Sequence, residues 1–113
     1  MSEKRQYERQ LLLSYFDTFD TGNESTLGYL ANISNGGLML ISKTPIQTDV
    51  SIPIRIQVPE DIDKTKELTL VAKSVRCIKD SEFDYFNIGF QVESLSDTDQ
   101  AKFEKLMSVY SLM

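Results

Sequence analysis

Apolar and polar positions alternate most cleanly at 51–58. Ile52, Ile54, Ile56 and Val58 share one face there, and Ser51, Pro53, Arg55 and Gln57 share the other. A period of two is the signature of a half-buried strand, and Pro53, which cannot donate to a ladder, places this strand at an edge or a bulge. The same period returns at 86–93, where Phe86, Ile88, Phe90 and Val92 oppose Asn87, Gly89, Gln91 and Glu93. Gly89 marks a close backbone approach. The segment 68–78 predicts another long strand, with Cys77 as a packed small side chain. At 11–19 Leu11, Leu13 and Tyr15 alternate with Leu12, Ser14 and Phe16, a strand covered in part on both faces. Runs 26–33 and 38–41 are rich in bulky apolar residues and flank Asn35-Gly36-Gly37. That tripeptide is a tight-turn signal whose residues tolerate positive φ, so the two runs form a hairpin.

The period changes after Leu95. Ser96-x-x-Asp99 opens a helix, and Phe103, Leu106, Met107 and Tyr110 recur at helical spacing to give one apolar stripe. The stripe is expected to cover one mouth of the sheet, while Met107, Tyr110 and Met113 leave a partner or a homodimer contact open. The remaining segments are polar. A calcium loop at 17–24 fails, because Phe19 and Thr21 occupy two ligand positions and Gly28 stands where the closing glutamate belongs, so the segment reads as a turn. The acidic residues of 59–66 have no His or Cys beside them and are neighboured by Lys64 and Lys66, which predicts a solvated loop. About six short strands and a final helix define an all-β fold: a small antiparallel β-barrel with a C-terminal α-helix. The polar stretch 1–10 lacks apolar periodicity and reads as a flexible arm preceding a barrel unit at 11–113.

Composition narrows the function. With 113 residues and 41% hydrophobic content, one domain is expected. A single cysteine and the lack of an apolar N-terminal run point to a cytoplasmic setting. A net charge of −5 and a pI near 4.6 oppose binding to nucleic acid polymers or anionic membranes, which relies on a broad basic surface. Any anionic ligand must therefore be held locally, and Lys4, Arg5 and Arg9 lie close together. The chain has no histidine, its lone cysteine lacks a base, and no serine sits in a nucleophile-elbow or phosphate-loop motif. No enzyme, metal or cofactor is expected.

The chemistry that remains is recognition. Asn32 and Ser34 offer an amide and a hydroxyl, and Gly36 and Gly37 let a ligand approach the main chain. Arg5 and Arg9 supply planar forks suited to phosphate or to the O6/N7 edge of guanine.

Arg5-x-x-x-Arg9 followed by Asn32-x-Ser34-x-x-Gly37, with the later strand Tyr85-Phe86-Asn87-Ile88-Gly89-Phe90, resembles PilZ domains, bacterial receptors for the second messenger cyclic di-GMP. The resemblance covers nearly the whole chain and implies a stand-alone, single-domain signal-transduction receptor. It implies that Arg5 and Arg9 engage phosphate and guanine, that Asn32 and Ser34 bind a guanine edge, and that Gly37 keeps the turn open. Lys4 stands where many members carry another arginine or an apolar residue, a position associated with binding one ligand or an intercalated pair. Asn32 stands where aspartate is more frequent. The implied output is a partner protein engaged when ligand orders the arm. The alternative is a ligand-independent adaptor on the same barrel, and such members usually lack the arginine motif.

Overall fold

The computed structural model describes residues 10–110, with side chains from Tyr15 onward. Six strands, β1 (Gln10–Asp20), β2 (Ser25–Ser34), β3 (Gly37–Ser42), β4 (Ser51–Gln57), β5 (Glu67–Lys79) and β6 (Phe86–Ser94), precede the helix α1 (Asp97–Tyr110). The strands close into a barrel in the order β1-β2-β3-β6-β5-β4, every neighbouring pair antiparallel. Closure leaves no free sheet edge. The inward faces are those the alternation marks: Ile52, Ile54, Ile56, Leu68, Leu70, Ala72, Ile88 and Phe90 all join one buried core.

Pro53 lies inside the barrel wall and causes no break. Its carbonyl accepts a hydrogen bond from the Thr21 N–H at 2.9 Å, so its missing N–H faces the end of β1. There the β1–β4 ladder has already stopped at Asp20↔Ile54. The turn expected over 17–24 is shorter than that, because Asp17 to Asp20 stay in β1. Thr18 points into the barrel, and its hydroxyl donates to the Gly28 carbonyl at 2.8 Å.

The hairpin turn at Asn35-Gly36 forms between the paired residues Ser34 and Gly37, but without the expected positive φ. Positive φ occurs instead at Glu24 (57°), Asp49 (64°), Lys66 (63°) and Gly28 (143°). Gly28 sits where β2 gains a residue against β1, between the pairs Thr18↔Gly28 and Phe19↔Thr26. A side chain there would overlap the Ile41 carbonyl, so both conformation and space require glycine.

The helix begins as its sequence signature predicts. The Ser96 hydroxyl accepts from the Asp99 N–H at 3.1 Å and donates to the Asp99 carboxylate at 2.8 Å, a side-chain cap on the first turn. Phe103 and Leu106 join the buried core, and α1 lies against β1 and β5. The Phe16 and Tyr110 rings meet edge to face at 5.4 Å. Lys102 fastens this end: its ammonium donates to the Glu67 carbonyl at 3.0 Å and lies 3.4 Å from Asp63 and 3.6 Å from Asp99. The Thr69 N–H donates to Asp99 at 3.2 Å. Burial pushes the Asp99 carboxyl up, but the hydrogen bonds from Ser96 and Thr69 and the Lys102 charge outweigh it and hold the group below its ordinary 3.8. The Tyr110 hydroxyl donates to Asp61 at 3.0 Å, and that bond, with burial, raises its pKa. Met113 lies outside the described residues.

Candidate functional site

Leu30 and Ile33 are both fully buried in the core although three residues apart. Strict alternation forbids this, and the ladder shows how it is resolved. Leu30 pairs with Leu40 but Asn32 pairs with Met39, so Ala31 is an extra residue in β2. A one-residue bulge turns the following side chains to the opposite face. Asn32 and Ser34 are thereby directed to the outer surface of the barrel wall, while Ile33 stays inside.

A second bulge does the same on β5. Ser74 is fully buried and pairs with Phe90, and Arg76 pairs with Gly89, leaving Val75 as the extra residue. Leu68, Leu70, Ala72 and Ser74 would by plain alternation carry Arg76 into the core. The bulge turns it outward and lets Cys77 pack against the core instead. Cross-strand pairing then lines up Asn32, Met39, Gly89 and Arg76 in one row over four strands, and Ser34, Gly37, Gln91 and Lys73 in the next.

Between these rows lies a recess of about 120 Å³, walled by Asn32 and Ser34 on one side and Arg76 on the other, with Gly37 and Gly89 in its lining. Asn32 is only 4% exposed. Its amide nitrogen faces the Met39 sulfur at 3.8 Å, a weak acceptor, which leaves the side-chain oxygen as an acceptor. The Ser34 hydroxyl makes a long 3.5 Å contact with the Gly37 carbonyl. The Gly36 carbonyl accepts from the Val92 N–H at 3.0 Å and ties the turn to β6. A Cβ on Gly37 would overlap the Phe90 carbonyl oxygen, so this glycine serves the close approach of β3 and β6 whatever else it does. Nearby Lys73 lies 4.0 Å from Asp49 with both groups well exposed, a contact of little energetic weight.

The structure thus brings together Asn32, Ser34, Gly36 and Gly37 of the expected set. Lys4, Arg5 and Arg9 lie outside the described residues. Arg76 also lines the recess, and reading the sequence missed it, because an ordinary Val75 gives no sign that the strand bulges there.

A larger cleft of about 590 Å³ lies further along the wall, lined by Tyr15, Leu27, Tyr29, Ile41, Lys43 and Tyr85 among others. Burial, then the nearby Asp80 charge, raises the Tyr85 pKa. This cleft is mostly apolar and is not lined by Asn32, Ser34, Gly36 or Gly37, so among the described residues size and chemistry select different places on one surface. Among the described residues no cluster of His, Cys, Asp and Glu could hold a metal ion, and no helix is long and apolar enough to cross a membrane.

A closed six-stranded antiparallel barrel, capped by a helix and carrying a polar recess with glycines in its lining, defines the class of module. The chain belongs to the PilZ domain family: the family model matches residues 3–108, a span that includes Arg5 and Arg9 as well as the recess. No curated protein matches the sequence. Among solved structures, the Bacillus subtilis inhibitor of motility MotI (DgrA) is 20% identical with a TM-score of 0.69, over 92% of this chain and 49% of that one. The K. pneumonia MrkH–c-di-GMP complex is 19% identical with a TM-score of 0.69, over 95% and 52%. Escherichia coli YcgR in complex with c-di-GMP is 16% identical with a TM-score of 0.66, over 94% and 45%. At these identities the likeness concerns the fold. The chain spans about half the length of these proteins.

Proposed function

We propose that this chain is a receptor for cyclic di-GMP. The observation that carries the reading is the Ala31 bulge, which turns Asn32 and Ser34 outward onto a glycine-lined recess in a PilZ-family chain that also has Arg5-x-x-x-Arg9. MrkH and YcgR, which share the fold, have been solved with c-di-GMP. In the proposed complex, Asn32 and Ser34 take a guanine edge and the backbone at Gly36 and Gly37 permits close approach. Arg5 and Arg9 meet phosphate and guanine from the arm at 1–10, with Lys4 beside them. The barrel at 11–113 is the scaffold.

Magnitudes distribute the work. A charge-assisted hydrogen bond from an arginine contributes about 1.5–3 kcal/mol, and ordering a flexible segment costs about 2–5 kcal/mol. Two arginines therefore roughly offset the ordering of their own arm. Most of a micromolar affinity, about −8 kcal/mol, must come from base contacts made by the barrel and from stacking. The signal is carried to a partner protein by the ordered arm, and no catalytic step is involved.

Calorimetric titration with cyclic di-GMP and cyclic di-AMP tests the reading. Guanine offers O6 and N7 acceptors to an arginine fork, whereas adenine places an amino donor at the position of O6. The expected result is clear preference for cyclic di-GMP, lost when Arg5→Ala and Arg9→Ala are combined. Absence of binding by the parent chain would make a ligand-independent adaptor the better account.

A further inference from the structure

Arg76 belongs to neither sequence motif, yet it forms the wall of the recess opposite Asn32 and Ser34. We propose that Arg76 grips the O6/N7 edge of a guanine seated in that recess, while Asn32 and Ser34 take the opposite, amino-bearing edge. The proposal rests on the cyclic di-GMP reading and adds a specificity-determining residue to it.

Three observations lead there. The first is register: the Val75 bulge turns Arg76 outward and places it in the same cross-strand row as Asn32, through Met39 and Gly89. Its direct neighbour Gly89 has no side chain to stand between the guanidinium and the recess. A Cβ on Gly89 would meet Arg76 Cβ at 3.7 Å, an ordinary contact, so packing alone does not demand glycine there. Its openness serves the recess.

The second is donor and acceptor polarity. The Asn32 amide nitrogen is turned to Met39, which presents the side-chain oxygen as an acceptor. Arginine offers donors only. Guanine has the complementary arrangement, acceptors O6 and N7 toward one side and the N2 amino donor toward the other. Adenine would set its amino group against the arginine fork, donor against donor. Arg76 already has an interaction within the protein, so the guanine edge adds to that interaction or takes its place.

The third is charge. In a chain of net charge −5, a partly buried arginine on the recess wall is a local feature rather than part of a basic surface. Lys79, further along the same strand, lies outside the recess and 3.8 Å from Asp84.

Calorimetry on the full chain separates the possibilities, with Arg76→Ala, Arg76→Lys, Arg76→Gln and Lys79→Ala each titrated with cyclic di-GMP and cyclic di-AMP. Arg76→Ala should weaken cyclic di-GMP binding about tenfold to hundredfold and shrink the preference over cyclic di-AMP. Arg76→Lys keeps the charge without the fork and should leave the preference reduced, while Lys79→Ala should bind as the parent does. Arg76→Gln retains much of the side chain and replaces the alanine variant if that one melts early. Parent-like affinity and preference in Arg76→Ala overturns the assignment while the receptor reading stands. Full restoration of preference by lysine overturns the fork contact, and failure of the parent chain to bind either dinucleotide overturns both readings.

Discussion

The wall formed by β4 and the first half of β5 differs from the wall that carries the recess. From Ser51↔Lys73 to Gln57↔Glu67 the two strands pair without a single shift, and every inward residue of β4 is apolar and buried. Across β2, β3, β6 and the second half of β5, bulges at Ala31 and Val75 interrupt the ladders, and glycines stand at Gly37 and Gly89. Regular alternation builds a closed core. The interruptions change which residues face out, and each one presents a polar side chain on the outer wall.

The comparison breaks most visibly at Ile54, which is fully buried in the regular wall. Ile54→Ala should lower unfolding stability by about 2–5 kcal/mol, from lost burial and the cavity left behind. Measured well below its melting temperature, the variant should bind cyclic di-GMP as the parent does. Urea unfolding and titration on the same sample check both halves. A loss well under 1 kcal/mol, or a selective loss of binding, would erase the distinction between the two walls.

A smaller effect sharpens it at the helix-covered end. A carboxyl whose folded pKa is depressed adds stability that is present above its unfolded pKa and lost as pH falls through the folded value. Asp99 is held below 3.8 by Ser96, Thr69 and Lys102, so its contribution fades only in acid below pH 3.8. Asp99→Asn should be less stable than the parent at neutral pH and converge toward it in acid. Parallel pH profiles for the two proteins would show that this carboxylate does not hold the helix.

The regular wall was legible in the sequence because each local choice agreed with the global one. The alternation of Ile52, Ile54 and Ile56, that of Ile88 and Phe90, and the Ser96/Asp99 cap all stand in the structure where the pattern puts them. The hairpin at Asn35-Gly36 was legible too, though its backbone lacks the positive φ its composition invites. The bulges were hidden because neither Ala31 nor Val75 is a turn former, and a register shift depends on what the neighbouring strand offers. Hence Asn32 and Ser34 were found through a motif, while Arg76, lacking one, was not singled out. Gly28 was weighed only as a misplaced ligand of a calcium loop, whereas the structure uses it to let β2 pass the Ile41 carbonyl.

The central claim is that the interrupted wall and the arginine arm form one ligand site, and hydrogen exchange with and without cyclic di-GMP tests it most directly. New protection should arise together in 3–10, in 32–37 and around Arg76, with 51–57 unchanged. Protection confined to the larger aromatic cleft around Tyr15, Tyr29 and Tyr85, with 32–37 unaffected, would contradict the account.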